Sequence, residues 1–180
     1  MASLFRATAL SLLFAHLLVH LPAAYAAKPH VHGIAKLDIA VEGTRLSLRL
    51  DSPLDNLLGF ERAPRNDAER RQADAAVAKL KDAGTMFNID PAAQCKPASV
   101  ELASAALKLG KPDPEEEKAG HADIDASFEF DCVDAGKAAY IDVGLFGFSQ
   151  LQRLEVQVAT KAGQFRRDLK RPTVRIRLTK

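Results

Sequence analysis

Ile124-Asp125-Ala126-Ser127-Phe128-Glu129-Phe130-Asp131-Cys132 is the stretch whose reading decides the fold. Its apolar residues occupy every second position, and acids and a serine fill the gaps, which is the period of a strand with one face buried and one face wet. A helix would bring residues three and four apart together and would put Phe128 and Asp131 on the same face. A strand of this kind needs partners, and the sequence on both sides supplies them.

Upstream, 34–41 and 46–51 carry the same alternation, and Glu42-Gly43 between them offers a residue that accepts positive φ, so a hairpin is predicted. Pro53 ends the second of these strands. The spacing of Ala73, Val77 and Leu80 predicts a helix over 66–83, with Pro64 ahead of it and Gly84 at the C-terminal cap. Asn66 and Glu69 have the spacing of a reciprocal N-terminal cap. A short extended piece at 86–89 and a strand near 99–109 complete the first half. Segment 110–120 holds two prolines and Glu115, Glu116 and Glu117 with no apolar period, so it reads as an exposed loop.

Downstream of Cys132, a strand at 138–143 leads into a helical turn at 145–152. A strand at 154–160 returns through Lys161-Ala162-Gly163 to Phe165, and 174–178 closes the chain. Leu57-Leu58-Gly59-Phe60 is echoed by Leu145-Phe146-Gly147-Phe148, and His32 and His121 each stand just ahead of the first strand of their half. The fold class that follows is α+β: a single domain, mostly antiparallel sheet, from two β-β-α-β-β-like halves with one longer helix at about 66–83.

Residues 1–26 read as a signal peptide. Arg6 gives a positive start, 10–21 an apolar core, and Ala24-Tyr25-Ala26 a small-x-small cleavage site, leaving 27–180 as the mature domain. No other stretch reaches the roughly 20 apolar residues of a spanning helix, so the expectation is an exported, periplasmic chain without a membrane span. In that compartment a disulfide between Cys95 and Cys132 is the first reading, and a pair of soft metal ligands the second. The formal net charge of the whole chain is +2, one unit of which is Arg6, and such balance argues against a nucleic-acid binder. The C-terminal basic residues Arg166, Arg167, Lys170, Arg171, Arg175 and Arg177 read as the wet face of closing strands or as a surface for an acidic partner. Signatures of hydrolases, zinc proteases, phosphate loops and dinucleotide sites are missing, and no enzyme is predicted.

One constellation carries coordination chemistry. In extended chain, residues i and i+2 lie about 6.5 to 7 Å apart on one side, so His30 and His32 of His30-Val31-His32 can reach one ion. His121, with Asp123 beside it, supplies further ligands if the two halves pair, and imidazole with carboxylate suits zinc.

The words His30-Val31-His32-Gly33, Ser52-Pro53-Leu54-Asp55-Asn56-Leu57-Leu58-Gly59-Phe60-Glu61 and Ala63-Pro64-Arg65 resemble the periplasmic ZrgA-like family of zinc uptake proteins. The two cysteines, Leu145-Phe146, Leu154-Glu155-Val156-Gln157-Val158 and Gly163-Gln164 extend the resemblance over nearly the whole mature chain. It implies an exported, non-enzymatic accessory to zinc acquisition that works with a zinc importer component or another periplasmic protein. Members of that family commonly carry a long histidine- and acid-rich tract between the halves. Here 111–119 and the single His121 stand in its place, leaving His30, His32, His121 and Asp123 as candidate zinc ligands. The alternative reading is an interaction module without metal, docking through 56–61 or the basic C-terminal face.

Overall fold

The computed structural model describes residues 31–111 and 122–179. The expected signal peptide at 1–26, His30, His121 and most of the expected loop at 110–120 lie outside the described residues. Strand β1 (Ile34–Glu42) turns through Gly43, at φ +58°, into β2 (Arg45–Pro53), and the two pair antiparallel from Lys36 opposite Asp51 to Glu42 opposite Arg45. This is the hairpin that the alternation predicts. A one-turn helix α1 (Asp55–Leu58) follows, then the long helix α2 (Asp67–Lys81), a further turn α3 (Ala83–Met86), β3 (Phe87–Ile89) and β4 (Cys95–Ala103). The second part of the chain contributes β5 (Asp123–Cys132), β6 (Tyr140–Val143), β7 (Arg153–Thr160), β8 (Gly163–Lys170) and β9 (Arg175–Arg177).

Six strands form one sheet in the order β4-β5-β2-β1-β7-β8, and three form a second in the order β3-β6-β9. Every pairing is antiparallel except β1 with β7. The architecture is α+β and mostly sheet, with one longer helix. The two halves interleave: β5 of the second pairs with β2 of the first, and β7 with β1. The strand pair expected at the start of the second half is split between sheets. A 3-10 turn at Ala135–Lys137 carries the chain from β5 in the large sheet to β6 in the small one.

The core lies between the sheets. Ile124, Ala126, Phe128 and Phe130 of β5 point into it with Leu37, Leu46, Leu48, Leu50, Leu154 and Val156, all at most 2% exposed. Phe87 meets Phe128 and Phe130 edge-on, with centroids 4.7 and 6.5 Å apart, an arrangement that places ring edges against ring faces. Helix α2 buries Ala73, Ala76 and Leu80. It stops at Lys81, before Gly84, because Asp82 leaves helical geometry and caps a new turn, accepting from Thr85 N at 3.2 Å and from Thr85 Oγ1 at 2.6 Å. Likewise β4 begins at Cys95, ahead of the expected start, and ends at Ala103. Residues 104–109 form a turn closed by pairing of Ser104 with Leu109.

Candidate functional site at the start of the first strand

Gly33 has φ +80°, a conformation that other residues adopt only with strain. Its N–H donates to Asn56 Oδ1 at 2.6 Å, and its carbonyl accepts from the backbone of Gln152 at 2.8 Å and Arg153 at 2.9 Å. Asn56 is fully buried, and its amide also donates to the Ile34 carbonyl at 2.9 Å and to Ser52 Oγ at 3.1 Å. One side chain of α1 thus ties the entrance of β1 to the end of β2. A buried amide is retained where all its hydrogen-bonding groups find partners, and here it fixes where residue 32 emerges.

The same turn supplies the chemistry. Asp55 opens α1, and the helix ends at Gly59 in the left-handed region, φ +74°, which turns the chain so that Glu61 comes back alongside His32. His32 Nε2 lies 2.9 Å from Glu61 Oε1, and Nδ1 lies 3.7 Å from Asp55 Oδ2. The imidazole is 62% exposed, whereas Asp55 and Glu61 are 23% and 31% exposed. The two carboxylates address opposite nitrogens of one ring. Glu61 is within hydrogen-bonding distance of Nε2, and Asp55 faces Nδ1 from just beyond it.

Behind Glu61, Arg62 grips Glu69 of α2 with two hydrogen bonds of 2.6 and 2.9 Å, and Arg65 N donates to the same carboxylate at 2.7 Å. These three donors hold the Glu69 carboxyl down at about 2, the Arg62 guanidinium contributing most. Gln72 of α2 donates to the Leu58 carbonyl at 2.8 Å, so the turn is fastened to the helix at both ends.

His30 and His121 fall outside the described residues. Asp123, at the start of β5, is 8% exposed and stands opposite Pro53 at the same end of the sheet. With Asp51, the chief cause through its hydrogen bond, and Glu155, it raises the pKa of Lys36. Among the described residues no cluster of three histidine, cysteine or acidic side chains is assembled to hold a metal. Cys95 and Cys132 face each other across β4 and β5 and are joined in a disulfide, so neither sulfur offers a thiolate. Asp55 and Glu61 were not anticipated as partners of His32. The available signal was that both lie in the Ser52-to-Glu61 word.

The sequence matches the model of the ZrgA family zinc uptake proteins over residues 29–178. The chain belongs to the ZrgA family. No curated protein matches it. In this ZrgA member the matched span takes in His30, His32, Asp55, Glu61, His121 and Asp123. No described helix is long and apolar enough to cross a membrane.

Proposed function

We propose that this chain is an exported, periplasmic, non-enzymatic accessory protein of zinc uptake. In this reading His32 Nε2 and Glu61 take the ion, and Asp55 positions the imidazole. His30 adds a further ligand, His121 with Asp123 assists, and the cargo passes to a zinc importer component. The observation that carries the reading is the pair of carboxylates on the two nitrogens of His32, built from the stretch that most resembles the family. Two zinc ligands in a tetrahedral shell are about 3.3 Å apart when each bond is near 2.0 Å, so the 2.9 Å from Nε2 to Glu61 needs only a small opening to admit the ion. An exposed imidazole suits an ion that must be released again, unlike the closed shell of a structural zinc site. The Cys95–Cys132 bridge and the leader at 1–26 support an oxidising compartment.

The test is calorimetric titration of the oxidised chain from Ala27 with zinc against a competing chelator. The expected result is one zinc per chain, lost in His32→Ala and weakened at least about 10-fold in Glu61→Gln and about 10- to 100-fold in Asp55→Asn. An isotherm unchanged in His32→Ala would overturn the assignment. Zinc bound to none of these proteins would favour the interaction module.

A further inference from the structure

His32 shares the lining of a cleft of about 410 Å³ with three cationic residues, Arg153, Lys170 and Arg171. Arg153 and Lys170 are directly opposite each other in the β7–β8 ladder, with Ile34 of β1 flanking Arg153. Like charges set opposite one another in a sheet destabilise the pairing. One carboxylate, that of Glu155, pairs with Arg153 through a terminal nitrogen. The Nε of Arg153 is buried and has no acceptor among the described residues. Arg171 is pinned rather than neutralised: Nε donates to the Leu151 carbonyl at 2.8 Å, and Nη2 to the carbonyls of Phe146 at 2.6 Å and Phe148 at 2.7 Å. Among the described residues neither Lys170 nor Arg171 has a carboxylate partner, so two positive charges of this cleft are uncompensated.

From these residues we infer an anion site for a small polycarboxylate. Guanidinium and ammonium groups held on a rigid strand end recognise carboxylate oxygens by charge-assisted hydrogen bonds. Resting on the zinc reading of His32, the site would admit zinc as an anionic carboxylate complex. Oxygens of the chelator then fill positions of the shell that His32 and Glu61 leave open. The cationic residues add attraction for the anionic complex that the bare ion, held by His32 and Glu61, does not receive.

Citrate is the probe. Titrated calorimetrically into the zinc-free chain from Ala27, it should bind. Affinity should fall at least about 5-fold in Lys170→Gln, an exposed position whose loss leaves the core untouched, and also in Arg153→Gln. Inorganic phosphate should compete less well than citrate. With one equivalent of zinc present, citrate should bind at least about 10-fold tighter and remain with the protein through gel filtration together with the metal. Citrate affinity indifferent to Lys170→Gln and Arg153→Gln, or citrate that only strips zinc away, would overturn the proposal. If zinc alone binds identically to wild type and His32→Ala, the zinc reading fails. Citrate binding that depends on Lys170 without zinc would still establish the anion site.

Discussion

Asn56 shows how one buried amide decides where a functional imidazole stands. It holds both the N–H of Gly33 and the carbonyl of Ile34, in the first and third peptide groups after His32. Replacing it by alanine removes the side-chain partner of both groups and should cost about 2 to 3 kcal/mol in urea unfolding. The zinc affinity of the folded Asn56→Ala protein should fall as well, because the histidine loses its fixed origin while keeping both carboxylates. An unchanged affinity would show that His32 is positioned by Asp55 and Glu61 alone. At this scale the sequence was only half legible. His-x-His spacing marks His32 because the chemistry of an imidazole pair is local. Asp55 and Glu61 become its neighbours only through a one-turn helix and a left-handed Gly59, and nothing in apolar periodicity reports the direction in which such a turn points.

Helix α2 was legible where local rules decide and misread where a neighbour intervenes. Asn66 caps it as the spacing predicts, accepting from Glu69 N at 2.9 Å, and Asn66→Ala should cost about 1 kcal/mol. Glu69 does not complete a reciprocal cap on Asn66. Its carboxylate reaches Arg65 N and the Arg62 guanidinium instead, since a charged two-point partner outcompetes a backbone N–H. The sign of the resulting pH dependence follows from the lowered pKa. The native state favours the ionised carboxylate, so the stabilisation is complete above the unfolded value of 4.5 and is lost as pH falls toward about 2. Glu69→Gln should therefore remove the steepest part of the acid dependence of stability between those limits, and the Glu69 carboxyl resonance should titrate near 2. A midpoint near 4.5 would mean that Arg62 does not hold it in solution. Strand existence was equally local. Phe128 and Phe130 alternate with Ser127 and Glu129 in the sequence, and the same residues divide between core and outer face in the sheet. Sheet membership was not local, because the choice of β6 to join β3 and β9 depends on partners about 50 and 35 residues away.

Across the whole molecule the two ends of the large sheet serve different purposes. His32 precedes β1 at one end, whereas the disulfide joins β4 to β5 at the other, where Cys132 N donates to the Thr44 carbonyl beside the hairpin turn. Nine residues of β1 separate them, about 30 Å of extended chain. β4 is an edge strand with Pro97 and a register shift in it, so its ladder to β5 is interrupted where the bridge fastens it. The bridge spans a sequence separation of 37, for which the chain-entropy model gives about 3 to 4 kcal/mol of stabilisation, acting largely on the unfolded chain. Replacing Cys95 and Cys132 together by alanine should lower the unfolding free energy measured in urea by that amount. Zinc affinity, measured where the protein remains folded, should stay within about 2-fold of wild type, since no element joins the bridge to His32 except the sheet itself. A loss of zinc binding without unfolding would place the metal at the cysteine end. Equal affinity in the disulfide-free protein, together with loss in His32→Ala, would locate it at the start of β1.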